Sequence, residues 1–378
     1  MSDPSDTHVP PAFAAALQRV VDAEHAVGDE PCLLRVEVPS LGLVSRHASG
    51  TLQRRAEGVE AVAATPDSPF RIASVTKPFT SVLVAQLVAE GRLSFDDRLV
   101  DLLPEPYLDL VPRLHVLDGV SYGERITMRQ ALTHASGLFD YAMSPSYGKA
   151  LFLDPGHAWT PHEMIEGAIA WGEPHFPPGE GYGYAYADTG YVLAGVVVEA
   201  LDGRPLWQSY RERILDPLGM TGTYLEGFEA HRGPAVSHAH EGEYDVMVIH
   251  GSSDWAGGGL VSTLDELAVF AQALVAGRAL RDPELSEILH WQFRTLDPAL
   301  HSPGYLGYGM GVEARDLAGH VFRGHRGHWG VLMHVDPISG VTITGTINQS
   351  SRRPDALAQG AVAAIVDHLP SSVWEPRT

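Results

Sequence analysis

Three serines stand in patterns able to carry nucleophilic chemistry. Ser74-Val75-Thr76-Lys77 and Ser146-Tyr147-Gly148-Lys149 both match S-x-x-K, and Gly119-Val120-Ser121-Tyr122-Gly123 matches G-x-S-x-G. S-x-x-K needs a helical turn, which puts residues i and i+3 on one face so that the amine reaches the hydroxyl. Lysine suits the task because it can lose its proton when burial or a neighbouring cation disfavours the charge, whereas arginine stays protonated. A neutral Lys77 could take the Ser74 proton and activate that oxygen for acyl transfer. The competing reading is a serine N-cap followed by a snorkelling lysine, and the tetrapeptide alone does not choose. The composition sharpens the question, since Lys77 and Lys149 are the only lysines in the chain.

The elements around each serine discriminate better. Ser74 opens "SVTKPFTSVLVAQLVAEGRL", a stretch apolar all round that predicts a buried helix stopped at Gly91. Pro78 falls in the first turns, where a missing N–H is tolerated. Ser146 lies among prolines and glycines with no clear helix, so that copy reads as chance. Ser121 follows a short, half-polar segment, whereas the G-x-S-x-G elbow requires a buried strand running straight into a helix. Ser121 therefore reads as a loop residue, with an α/β-hydrolase kept as the alternative.

The rest of the chain reads as strands, many helices, then strands. A helix is expected from Pro11 to Ala26, followed by strands in "CLLRVEVP" and "GLVSRHASGTL". Helices follow in "ITMRQALTH", "TPHEMIEGAIAWG", "DTGYVLAGVVVEALDG", "PLWQSYRERIL" and "TLDELAVFAQALVAG". Strands return in "HVFRGHRG", "WGVLMHVDP" and "GVTITGTIN", with "ISG" as a hairpin turn, and an amphipathic helix runs from Asp355 to Leu369. The fold class is α+β: strands from both chain ends form one antiparallel sheet flanked by helices. The expected division is a sheet subdomain over 1–72 and 255–378 and a mostly helical insertion over 73–254, with the site between them.

Composition narrows the partners. With 378 residues and a net charge of −21, the chain lacks the clustered Lys and Arg that phosphate backbones and anionic membranes require. No apolar run is long enough to span a bilayer. The single cysteine, Cys32, cannot form an internal disulfide, and the acidic, Pro-rich start lacks the features of a signal peptide. A cytoplasmic protein acting on small molecules is the expectation. "TPHEM" lacks the second histidine of a zinc helix, and Thr160, Pro161 and Glu163 make a capping box there instead. His325 and His328 face opposite sides of a strand, and His238 and His240 lack a third ligand. No metal and no organic cofactor are expected.

"FRIASVTKPFTSVLVAQLVAEGRLSFDDRLVDLLP" resembles the nucleophile region of the serine β-lactamase and penicillin-binding protein superfamily. The likeness continues in "ITMRQALTHASGL", "PPGEGYGYAYADTGYVLAGVVVEALDGRPL", "ILDPLGMTGTYL", "AGGGLVSTLDELAVFAQAL" and "GHRGHWGVLMHVDPISGVTITGTINQS", over roughly Phe70 to Ser350. It is nearest to the class C β-lactamase, D-alanyl-D-alanine carboxypeptidase and esterase branch. The resemblance implies a β-lactamase/transpeptidase-like fold and a Ser74 acyl-enzyme. Tyr186, in Tyr186-Ala187-Asp188, is the implied acid–base partner, exchanging protons with Lys77; which acts first is open. His325, in His325-Arg326-Gly327, would supply a hydrogen-bond donor or positive field. The backbone N–H groups of Ser74 and His328 would form the oxyanion hole, and Gly327 would let substrate lie against the strand.

Two positions depart from the family pattern. Asp188 replaces the usual asparagine: it could bind a free α-amino group, or reflect drift in a chain that avoids asparagine. Arg326 stands where a small residue is common: it could bind a substrate carboxylate or point away into solvent. The implied activity is hydrolysis of a small ester or amide, D-aminoacyl compounds among them. An acyltransferase resolving the same acyl-enzyme with an amine or alcohol, and a non-catalytic binding protein on the same fold, are the alternatives.

Overall fold

The computed structural model describes residues 9–54, 61–179, 183–279 and 304–376. The first eight residues, on which part of the signal-peptide argument rests, lie outside them. Helix α1 (Pro11–Gly28) buries Phe13, Leu17 and Val21, spaced four apart on one face. It leads into β1 (Cys32–Val38) and β2 (Leu43–Ser49). At the far end of the chain come β3 (Tyr305–Tyr308), β4 (Glu313–Leu317), β5 (His320–Gly327), β6 (Val331–Val335) and β7 (Thr342–Thr346). These seven strands form one sheet in the order β3-β4-β5-β6-β7-β1-β2, antiparallel at every pairing. Strands from both chain ends thus meet, with Leu33 opposite Thr346. The expected turn at Ile338–Gly340 carries Gly340 at φ +73°.

The sheet separates two cores. Cys32, Leu34, Val36 and Leu332 pack with α1 and α8 (Asp355–His368) on one face. Leu33, Val331, Met333 and Val335 pack on the other, where alternation along each strand sends them. The second core continues into α2 (Thr76–Ala89), buried all round through Leu87, and α7 (Leu264–Val275). Phe79 of α2 and Phe270 of α7 stack with ring centroids 3.6 Å apart.

Between β2 and α7 the chain is mostly helical. It includes α3 (Met128–Leu132), α4 (Pro145–Leu153), α5 (Pro161–Trp171) and α6 (Asp188–Asp202). The Thr160 capping box forms as expected: the Glu163 N–H donates to Thr160 Oγ1, and the Glu163 carboxylate accepts the Thr160 N–H at 2.8 Å. Three expectations change. The segment "PLWQSYRERIL" is α-helical only over Leu206–Tyr210 and then widens into a π turn. Ser146 and Lys149 lie on a helix, α4, which starts from a Ser144 cap with Pro145 in the first turn. Two strands, β3 and β4, extend the sheet where none was expected. Among the described residues no helix is long and apolar enough to cross a membrane.

Candidate active site

Ser74 lies in the short turn Ala73–Val75 that feeds α2. Ala73 is held at φ +47°, a left-handed conformation that costs an L-residue energy and accumulates at functional sites. Lys77 follows one turn later and is fully buried. Its Nζ is 2.8 Å from Ser74 Oγ and 2.8 Å from the Gly257 carbonyl oxygen, and it forms an ion pair with Asp188. Tyr186 lies beside this pair: Lys77 Nζ is 4.9 Å from its ring centroid, and Ser74 is among the groups that act on its phenol. Residues far apart in sequence therefore surround one hydroxyl.

Tyr186 is positioned by a residue that sequence reasoning passed over. The His134 carbonyl accepts the Ala185 N–H at 2.9 Å, its Nδ1 accepts the Ala187 N–H at 3.1 Å, and its ring packs 4.1 Å from that of Tyr186. His134 itself is held at φ +56°. Burial, with Lys77 nearby, pushes its imidazole well below the ordinary value, so Nδ1 keeps its lone pair. The only signal in the sequence was its place in "LTHASG", which names no contact.

The strand residues divide by face. His325 and Gly327 share the face of Met333, which is opposite His325 in the register. His325 donates from Nδ1 to the Arg326 carbonyl at 2.6 Å and accepts at Nε2 from the Tyr308 hydroxyl at 2.8 Å. Burial lowers its pKa to about 4, so at neutral pH the ring is uncharged and supplies no positive field. Arg326 points to the opposite face and is held by Glu313 and Asp355 at 3.0 and 3.2 Å. It enters neither the pocket nor open solvent, as the two readings of the sequence had it. Gly327 has a different reason from the one expected: a Cβ there would lie 2.3 Å from the Ile72 carbonyl oxygen. The space is taken by the turn that carries Ser74, not left for substrate. The backbone N–H groups of Ser74 and His328 donate to no acceptor among the described residues, and both residues line one cavity.

That cavity holds about 360 Å³ and has two characters. Part of the lining is apolar, with Met143, Leu151, Phe152, Ile249 and Trp329, and part carries carboxyl groups, with Asp140, Asp188, Glu241 and Asp254. Asp140 accepts the N–H groups of Asp188 and Ala142, each at 3.1 Å. Burial, then the charge of Asp188, holds the Asp140 carboxyl well above the usual carboxylate range and also raises Asp254. Asp254 precedes Trp255, a buried residue at φ +35°. Glu226 also lines the wall but is neutralised by Arg71, with Nε–Oε2 at 2.6 Å. Arg71 donates further to the Val246 and Ile249 carbonyls at 2.7 Å each, tying the wall to the segment that leads into the Ser74 turn.

The competing serines find no such surroundings. Ser121 is exposed on a two-residue strand, its hydroxyl donating to the Pro112 carbonyl at 2.7 Å. No strand-to-helix elbow exists there. Ser146 and Lys149 are both exposed. His238 bonds Asp245 at 2.6 Å. Among the described residues no group of three His, Cys, Asp or Glu side chains is arranged to hold a metal ion.

The Beta-lactamase family profile matches residues 35–367, and the chain belongs to that family. Protein Rv1367c of Mycobacterium tuberculosis is 29% identical over 278 residues, which are 65% of this chain and 66% of that protein. Esterase EstB of Burkholderia gladioli is 32% identical over 237 residues, 61% of this chain and 57% of the esterase. The matches thus span less than two thirds of either relative. Among solved structures, a D-stereospecific amidohydrolase from Streptomyces superposes with a TM-score of 0.76 at 27% identity, covering 93% of this chain and 98% of that one.

Proposed function

We propose that the protein is a serine hydrolase that cleaves a small amide or ester next to a free amino group, through an acyl-enzyme on Ser74. One observation carries this reading: the Ser74–Lys77 hydrogen bond, with Tyr186 beside it, opens into a cavity whose lining includes Asp140, Asp188 and Asp254. Carboxylates in a partly desolvated pocket favour a cation, and an amide side chain at position 188 would not supply that charge. The apolar wall suits a hydrocarbon or aromatic substituent. The amidohydrolase relative supports the D configuration for the acyl residue.

The proton inventory supports one division of roles. Burial and the charge of Asp188 hold the Tyr186 phenol well above its ordinary value, so it enters the reaction protonated. It is the donor to the leaving group, and Lys77 is the first base. Nζ in its neutral form donates to the Gly257 carbonyl and turns its lone pair to the Ser74 hydroxyl. As Oγ bonds the carbonyl carbon, the π pair moves to oxygen, which the free N–H groups of Ser74 and His328 receive. Collapse expels the amine or alcohol with a proton from Tyr186, which Lys77 replenishes. Water then repeats the sequence on the acyl-enzyme.

A turnover panel tests this. It compares D- and L-aminoacyl anilides, p-nitrophenyl esters with and without an α-amino group, and a chromogenic cephalosporin. The expected result is preference for D-aminoacyl substrates, lost in Ser74→Ala. Equal turnover of esters lacking the amino group would overturn the substrate reading, and activity surviving in Ser74→Ala would overturn the mechanism.

A further inference from the structure

The ion pair between Lys77 and Asp188 poses a chemical problem. An ammonium has three N–H donors and no lone pair. Lys77 Nζ meets three oxygens: Ser74 Oγ, the Gly257 carbonyl and the Asp188 carboxylate. In the resting site that set satisfies the ammonium completely, and the Ser74 hydroxyl faces a group that cannot accept its proton. An adjacent carboxylate stabilises the charged amine and opposes the step that makes it a base.

We propose that the substrate's own ammonium group relieves this block: it takes Asp188 as its partner, frees Lys77 to lose a proton, and so switches on acylation. The inference rests on the reading of Ser74, Lys77 and an amine-bearing substrate given above. Asp188 is suited to such an exchange. Its side chain is 14% exposed, against 0% for Lys77, and it lines the cavity. Asp140 and Asp254 border it, their carboxyls held above the ordinary range by burial and then by the charge of Asp188, so an arriving cation meets Asp188 with two further acids able to ionise beside it.

The protons balance in either form of the substrate. An amine that arrives charged leaves Lys77 to release one proton to water. An amine that arrives neutral takes that proton itself, and no net release occurs. In both cases a neutral Nζ then accepts the Ser74 proton as the Oγ–carbon bond forms. The amino group therefore acts on the rate of acylation and not only on binding, because an interaction made before the chemical step raises kcat only if it changes the barrier.

The test supplies the cation separately from the ester. The burst rate of p-nitrophenyl propionate, which has no amino group, is followed with rising methylammonium chloride at constant ionic strength, after subtraction of the enzyme-free rate. The burst relaxes at the sum of the acylation and deacylation rates, so the deacylation rate at each methylammonium concentration is taken from the steady state and subtracted. Methylammonium is expected to raise it saturably, by roughly 5- to 150-fold, the usual range for coupling between two ligands. Sodium at equal concentration is expected to do nothing. Asp188→Asn should give a faster burst without methylammonium and no response to it. A flat titration in the native enzyme overturns the switch, as does an equal response in Asp188→Asn or the absence of a burst at every concentration. A normal burst with a flat titration sinks only the switch, whereas a burst that persists in Ser74→Ala sinks the reading beneath it.

Discussion

Gly327→Ala tests how the sheet fixes the nucleophile. A Cβ at this position lies 2.3 Å from the Ile72 carbonyl oxygen and 3.1 Å from Val331 Cβ. Ordinary van der Waals contact begins near 3.4 Å, so the oxygen must retreat by about 1 Å. Strand β5 is pinned on both sides, by Glu313 opposite Gly324 and by Val331 opposite Gly327. The turn at Ile72–Val75 is not part of that sheet and is the element that yields. A misplacement of about 1 Å in a reacting group costs on the order of 100-fold in rate, while overpacking of this kind costs roughly 1–3 kcal/mol of stability. The variant should therefore fold, melt a few degrees lower by circular dichroism, and react with a fluorophosphonate at Ser74 about 100-fold more slowly. Gly156→Ala is the control, since a Cβ there meets nothing within 4 Å. A labelling rate equal to the native one in folded Gly327→Ala would refute the claim that β5 sets the position of Ser74.

Two further outcomes follow from the same geometry. Lys77→Arg keeps the charge in the buried slot but removes the base, and should lower the acylation burst by roughly 100- to 10,000-fold; retention of more than a tenth of the rate would remove Lys77 from that role. His325, with its pKa lowered from 6.5 to about 4, stays neutral in the folded protein while the unfolded chain takes up a proton below pH 6.5. Stability should then fall by about 3 kcal/mol as pH drops from 6.5 to 4 and change no further through this group below that. Urea unfolding of His325→Gln across that range should show a shallower acid loss, and an unchanged slope would contradict the assignment.

What the sequence disclosed followed from local rules. Helix α2, the Thr160 capping box and the β6–β7 hairpin are specified by residues within one or two turns of each other, and all form as expected. The strands β3 and β4 escaped notice because their inward positions are not apolar. Glu313 and Arg315 are buried, and Glu313 binds Arg326 and His334 across the sheet. A charged residue satisfied by a distant partner looks like a solvent-facing one when only its neighbours are read. The two S-x-x-K copies carry the same lesson. Both lie at or within helix starts, so helical context does not separate them as expected; burial does, because Lys77 is enclosed and Lys149 is exposed. Asn348, the only asparagine, also makes sense in three dimensions alone. It sits at φ +49° and donates from its amide to the Pro31 carbonyl and Ser237 Oγ, at 3.0 and 3.2 Å. The acidic wall was invisible for the same reason, since Asp140, Asp188 and Asp254 come from three separate loops and helix starts.

The pairing of β1 with β7 bears on how the protein is made. A ribosome delivers Ser74 and Lys77 first, whereas β5, which presses on their turn, and β7, which pairs with β1, emerge well over 200 residues later. Sheet closure between distant segments is slow and waits for both partners. A growing chain therefore displays the serine and the amine before the strand and the His328 N–H are present. The serine and the amine are thus set in place by an element that follows them by well over 200 residues.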